Sequence, residues 1–548
     1  MAALNSEIVN EYDTIVIGAG SAGCVIAARL TEDPAVKVLL VEAGVTDRTT
    51  LCRKPGMVSM IHTVPQLKAK FDWGYKTEPR QQTLGRKMPY TRGKVLGGSS
   101  AINGMVFVRG NPANYEEWAA AGNTGWGWAD VLPYFKRMES FEDGESDTRG
   151  GTGPIAVTRA RDISPVSEAF RGAVAETCRV PQLADYNGGT QEGVSLFQLS
   201  ARDGLRYSTS EGYLHPNLSR PNLSVVSGVL ARRVMIEAGR ATGVELVVNG
   251  AVRQVRAARE VVLSAGAVGS PHLLMLSGIG PAAALRKHGI AVAADLPVGQ
   301  NLHDHLFFPL TFLTPRGGHR GTPLHFLGGM VKEYLVGGTW FARSVFEVVG
   351  FVKTDPSKSV PDLQIHSLPW AYPAPNQDAP VRPVVDTRPA LTVQPTLIYP
   401  ESRGEVRLRS ADPADAPFVD PHFLEEPADT ETLMRGIELV REIMASGPIA
   451  RECTGELEPG PSFRDRAALA RELPNRVSTV YHPVGTCQMG VDGRAVVDPS
   501  LRVRGIEGLR VADASIMPSI PGGNTNAPCI MIGEKAADLI RGRSAPGR

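Results

Sequence analysis

The chain has 548 residues, 42% of them hydrophobic and 21% charged, and Lys plus Arg (58) almost cancels Asp plus Glu (57). This composition supports a folded core of several domain equivalents and excludes wholesale disorder. The net charge of +1 gives no electrostatic footprint for nucleic acid. Six scattered cysteines with no C-x-x-C pair exclude a disulfide scaffold and a structural zinc site of the usual spacing. Met1 to Asn10 has neither a basic nor an apolar signal region, so the expected location is cytoplasmic. No apolar run approaches the roughly 20 residues of a spanning helix, which leaves only peripheral membrane contact through an apolar surface loop.

In chain order, Thr14 to Ile17 reads as a short buried strand, and Gly18-Ala-Gly-Ser-Ala-Gly23 follows at once. Ser21 to Glu32 has apolar residues at helical spacing and stops at Asp33-Pro34. Val36 to Val41 is a second strand, ending at Glu42. This is a βαβ unit whose Gly18, Gly20 and Gly23 suit a tight turn, close approach of a pyrophosphate, and close helix–strand packing. An acid at the end of the second strand, Glu42, suits ribose hydroxyls. A dinucleotide, FAD or NAD, is therefore expected. Gly93 to Asn103 is a second glycine cluster, where Gly97, Gly98, Ser99 and Ser100 offer bare backbone amides. Asn222 to Val262 predicts a small antiparallel meander, and Val261 to Gly266 another strand meeting a glycine. Pro309 to about Leu473 is irregular, with the Pro-rich run Pro369 to Pro389 expected as a surface loop or lid. The end of the chain returns to strand-and-glycine grammar at Leu509 to Ala512, Pro521 to Gly523, and a helix from about Ala527.

Five segments carry a resemblance. Residues 93–116 and 266–280 resemble the two signature motifs of the glucose–methanol–choline (GMC) oxidoreductases, in their choline-dehydrogenase-like branch. Asn301-Leu-His-Asp-His305, Pro400-Glu-Ser-Arg-Gly404 and the stretch from Val497 to Ala537 are similar to the same family. The resemblance implies an α/β fold: a Rossmann-like FAD-binding domain (1–160, 195–308, 474–548) with an inserted antiparallel-sheet substrate domain (161–194, 309–473). It implies that Gly18, Gly20, Ser21, Ala22, Gly23, Glu42 and Ala43 hold the ADP half of FAD. Gly93, Val95, Gly98, Ser99, Asn103, Gly104, Met105 and Val106 then lie along the pyrophosphate and isoalloxazine. Ala231, Ala265, Tyr481, Asp513, Ala514 and Thr525 complete the cofactor's surroundings. His482 and Asn524 match the family's two active-site positions, and Asn524 also adjoins the flavin. Ile102 stands where some relatives tether FAD through a histidine, so non-covalent FAD is expected.

The implied activity is oxidation of an alcohol to an aldehyde or ketone, with His482 taking the hydroxyl proton, Asn524 bonding the oxygen, and hydride passing to flavin N5. The expected partners are a small alcohol and O2 or another electron acceptor. A non-redox lyase on the same scaffold is the alternative. No metal site is expected: His303 and His305 share a strand face but have no third ligand, and structural hydrogen bonding is their expected role. Cys487 and Cys529 read as inert buried thiols, and Arg403, Arg407 and Arg409 as a solvated face. A cage for a quaternary ammonium has Trp340, Phe346, Glu347, Trp370 and Tyr372 as candidates.

Overall fold

The computed structural model describes residues 6–315, 319, 322–337, 343–372 and 387–543. Strand Glu11–Ile17 is the centre of the first sheet, pairing in parallel with Ala251–Leu263 on one side and Val38–Glu42 on the other. Ile15, Val16 and all of Val38–Glu42 are buried, as parallel strands covered on both faces must be. Leu223–Ser227 continues the parallel order beside Val38–Glu42, and Leu509–Val511 closes it beside Ala251–Leu263.

The expected meander is therefore shorter than its sequence pattern. Only Leu230–Glu237, Arg240–Val248 and the first half of Ala251–Leu263 run antiparallel. Leu223, Val225 and Val226 are apolar and buried, and this draws the strand into the parallel sheet instead. The predicted first helix is also trimmed, to Gly23–Leu30. It packs against the carboxy-terminal helix Asn526–Arg541, where a Cβ on Gly533 would lie 2.8 Å from the Ala22 carbonyl oxygen. Buried Glu534 fastens the pair by accepting from Arg29, Arg137 and the Tyr213 hydroxyl.

The second sheet is antiparallel, in the order Gly455–Glu458, Leu310–Leu313, Ala390–Leu397, Leu363–Leu368, Val348–Val352, Gly193–Leu196. Leu306–Phe307 pairs both with Ala390–Leu397 and with Ser478–Thr479. The strands at 193–196, 306–307 and 478–479 thus lie in this sheet, although the expected boundaries assign most of their residues to the FAD-binding domain. Successive side chains of a strand face opposite ways. Along Leu363–Leu368, Leu363 packs towards Gly436 of helix Pro427–Met444, while His366 and Leu368 face a large cavity. Among the described residues no helix is long and apolar enough to cross a membrane.

Candidate active site

The cavity between the two sheets has a volume of about 1120 Å3, above the roughly 300–1,000 Å3 of most small-ligand pockets. Gly18, Gly20, Ser21, Ala22, Glu42, Ala43, Gly93, Gly98, Ser99, Asn103, Gly104 and Val106 line it. So do Ala231, Ala265, Tyr481, His482, Asp513, Ala514, Asn524 and Thr525. Three expected cofactor residues do not. Gly23 packs inward, where a Cβ would stand 1.9 Å from the Gly18 carbonyl oxygen. Val95 is buried in a separate apolar cluster with Cys52 and Phe71. Met105 takes a left-handed backbone (φ 65°), its N–H bonded to Asn103 Oδ1 and its carbonyl to Ser200.

The lining fits FAD. A Cβ at Gly20 would find no atom nearer than 3.9 Å, and one at Gly266 nothing within 4 Å. Bare backbone therefore faces open space where a pyrophosphate or ring can come close. The helices that begin at Gly23 and Asn526 both start at the cavity wall, where their N-termini favour negative charge. Glu42 already accepts from the Ala19 and Gly44 amides, at 3.0 and 2.8 Å, and burial lifts its pKa to about 7. Asp513 holds the start of helix Gly266–Leu276 by accepting from the Gly266 amide at 2.8 Å and the Ser270 hydroxyl at 2.5 Å.

His482 and Asn524 meet at the cavity wall. Asn524 Oδ1 accepts from Gln364 Nε2 at 3.1 Å, which turns Asn524 Nδ2 towards His482 Nε2 at 3.2 Å. An amide NH2 only donates, so Nε2 carries the lone pair. A neutral His482 then has its proton on Nδ1 and donates it to His305 Nδ1 at 3.0 Å. The two rings stand edge to face, with centroids 5.3 Å apart. Asp304 fixes the backbone: Oδ1 accepts the His482 amide at 2.7 Å and Oδ2 the Thr479 hydroxyl at 2.5 Å. Burial drives the His482 pKa well below the usual histidine value, with His305, His366 and Arg92 pushing the same way. Burial likewise lowers His305 to about 3 and His366 to about 4. At neutral pH this is a cluster of uncharged imidazoles.

Sequence reasoning missed the supports of this pair. Arg92 donates to the Tyr481 carbonyl at 2.6 Å and the Ser99 hydroxyl at 2.8 Å, stapling the second glycine cluster to the segment that carries His482. Arg206 is buried and is held by oxygens of Cys52, Ser100 and Asn103. Asp304 and His305 lay in a motif already singled out, and Arg92 adjoins Gly93. Nothing in the sequence marked Gln364 or His366, which sit in an all-buried strand without a motif.

His303 and His305 diverge, since His303 Nδ1 faces the Asn301 carbonyl at 2.6 Å. Among the described residues only Glu405, Asp420 and His422 converge as metal ligands would. The Arg80 guanidinium pairs with Asp420 at 2.5 Å and with His422, so a cation already occupies that cluster. Cys529 lines the cavity with its thiol pushed up to about 12, and Cys487 is raised further by burial. Arg403, Arg407 and Arg409 are all exposed; Arg407 and Arg409 lie over the Phe418 ring, and Arg403 donates to the Pro400 and Ser402 carbonyls. Phe346, Trp370 and Tyr372 line the cavity, whereas the Glu347 carboxylate is taken up by Ser164. Trp340 and residues 373–386 of the Pro-rich run lie outside the described residues.

Comparison with known proteins decides the family. A GMC oxidoreductase amino-terminal model matches residues 12–307, and the carboxy-terminal model of the same family matches 400–533. The chain is a GMC oxidoreductase. It is 39% identical to an alcohol dehydrogenase [acceptor] of Pseudomonas putida, over 96% of this chain and 95% of that one. It is 40% identical to a mitochondrial choline dehydrogenase of Homo sapiens, over 100% of this chain and 92% of that one. The crystal structure of pyridoxine 4-oxidase from Mesorbium loti superposes with a TM-score of 0.85 at 31% identity, covering 96% of this chain and 98% of that one. As a GMC oxidoreductase the chain is an FAD-dependent oxidoreductase acting on CH–OH donors, with a Rossmann-like α/β fold.

Proposed function

We propose that this GMC oxidoreductase oxidises an uncharged alcohol to the aldehyde or ketone, with His482 as general base and Asn524 as donor to the alcohol oxygen. One observation carries this reading: a neutral imidazole whose Nε2 lone pair faces a fixed amide donor at the wall of the cofactor-sized cavity. FAD, when bound, supplies the acceptor for the carbon-bound hydrogen. His482 Nε2 takes the hydroxyl proton, while Nδ1–H stays on His305 and holds the ring's orientation. Asn524 Nδ2 steadies the developing alkoxide, and Gln364 keeps that amide turned the right way. The rings of Phe307, Phe346 and Tyr372 line the same cavity and exclude water.

A cationic substrate, such as the human relative's name indicates for that protein, is less well served. Among the described residues the cavity's carboxylates are Glu42, Asp415 and Asp513. Glu42 and Asp513 already accept backbone amides of Ala19 and Gly266, Asp415 is exposed and accepts from the Ser410 hydroxyl, and Glu347 is bonded to Ser164. In this reading the first sheet and the carboxy-terminal helix form the FAD-binding domain and the second sheet the substrate domain. FAD is non-covalent and the location cytoplasmic. The test is an anaerobic panel of aliphatic, aromatic and quaternary-ammonium alcohols read by flavin bleaching. Aliphatic or aromatic alcohols should bleach the flavin at lower concentration than choline does. Preference for choline overturns the uncharged-substrate reading, and bleaching by no alcohol overturns the oxidation itself.

A further inference from the structure

Helix Pro323–Leu335 breaks the usual rule that a surface helix turns a polar face to water. Phe326, Leu327 and Met330 line the cavity, Leu327 and Met330 at its exposed rim. Its outward side is apolar as well: Leu324 is 82% exposed, Tyr334 89%, Leu335 72% and the following Val336 77%. Leu324, Leu327, Val331 and Leu335 recur every three or four residues, which makes a continuous apolar stripe. An exposed apolar stripe of this length marks an interaction surface.

The charge beside this helix identifies the medium. Glu333, on the helix, pairs with Lys54 at 3.0 Å, and so joins it to segment 48–71. That segment also lines the cavity, through Val58, Met60 and His62. It carries Arg48, Arg53, Lys54, Lys68 and Lys70 with no acid between them; Lys68 is paired with Asp72 and Arg53 lies 3.9 Å from Glu211, so the cations it presents outward are chiefly Arg48, Arg53 and Lys70. Arg53 and Lys70 are exposed, as is Lys332 on the helix itself. A second copy of this chain is a poor occupant, because a two-fold contact sets each patch against itself and brings its basic residues against their own copies. An anionic bilayer meets both demands, with acyl chains for the stripe and headgroups for the cations.

We propose that this face docks the enzyme on an anionic lipid surface. The helix lies in the interface, and the cavity it borders opens towards the acyl chains. Apolar alcohols concentrate in that layer, so docking shortens their path to the site. The attachment is peripheral.

The experiment is flotation of the FAD-loaded enzyme with vesicles of phosphatidylcholine alone or with 30% phosphatidylglycerol, as a roughly physiological anionic fraction. The enzyme should float with the anionic vesicles and much less with the neutral ones. The double variant Leu324→Asp, Leu335→Asp should weaken binding at least ~10-fold, since two exposed apolar anchors are lost. The double variant Arg53→Glu, Lys70→Glu should weaken it to a similar degree at low salt, and raised salt should mimic it in the wild type. These side chains lie outside the cavity, so turnover of a soluble alcohol without vesicles should be unchanged. If the first variant does not fold, the second still decides the matter. Wild-type enzyme that fails to float with anionic vesicles overturns the proposal, as does equal, salt-insensitive binding to neutral ones. A dimer in solution that the Leu324 and Leu335 changes dissociate also overturns it, because a second copy then covers the stripe.

Discussion

The proposed proton acceptor, His482, has to be empty at working pH, and its surroundings keep it so. An unperturbed imidazole is half protonated at about pH 6.5. Burial beside His305, His366 and Arg92 lowers the His482 value well below that. The charged form appears only when pH falls through the lowered value, so rate is retained above it and lost below it. The flavin-reduction rate constant should therefore stay level from pH 8 to about pH 6, whereas an acid limb centred near 6.5 in the wild type refutes the shift. Replacing His305 by Ala removes a neighbour that opposes protonation of His482, admits water and frees the Nδ1 proton. The acid limb should then move up towards 6.5, with a lower plateau. A purely structural role for His305 lowers the plateau without moving the limb. His482→Ala should slow flavin reduction at least ~100-fold, the low end for general-base catalysis, and reduction at the wild-type rate removes His482 from the mechanism.

The glycine clusters show what a linear pattern reveals and what it hides. The βαβ unit around Gly18, Gly20 and Gly23 was legible because its parts are contiguous and each has a mechanical reason. Contact between clusters was not legible. At Gly98 the backbone is left-handed (φ 53°), and a Cβ there would stand 2.7 Å from Gly20 Cα. The first and second clusters are thus packed backbone to backbone. Gly98→Ala should cost about 1–3 kcal/mol of stability from the strained backbone alone and lower the FAD content of purified protein. A variant with unchanged thermal midpoint and full flavin content shows that the contact relaxes freely. The same limit explains the misread strand Leu223–Ser227. Its apolar residues suit either sheet type, and only the distant Val38–Glu42 decides which. Gln364 and His366 were hidden because the alternation Leu363-Gln-Ile-His366 reads as a strand with one face in water, and nothing local shows that this polar face is buried against the cavity.

Over the whole molecule, the cofactor cavity takes walls from the first, middle and last parts of the chain, so FAD is held by the fold rather than by one loop. Ile102, with no nucleophilic atom, goes with non-covalent binding, and acid precipitation should release the flavin into the supernatant. Flavin retained in the pellet after washing contradicts this. The motifs alone made the architecture and the His482–Asn524 pair legible, since those motifs bracket the chain. The second sheet's partners were not legible, because antiparallel pairing between segments as distant as Leu310 and Val393, Leu196 and Val348, or Leu306 and Thr479 leaves no local trace. One such pairing has a mechanical consequence. His482 stands three residues after Ser478–Thr479, a two-residue strand hydrogen-bonded to Leu306–Phe307 in the second sheet, while Asn524 precedes helix Asn526–Arg541, which packs on helix Gly23–Leu30. The backbones of the two proposed alcohol-binding residues are thus mounted on different supports, like the jaws of a vice, with the Gln364–Asn524 and Asn524–His482 hydrogen bonds spanning the gap. Any slackening between the sheets opens the jaws, so heating or mild denaturant should extinguish turnover before either sheet melts.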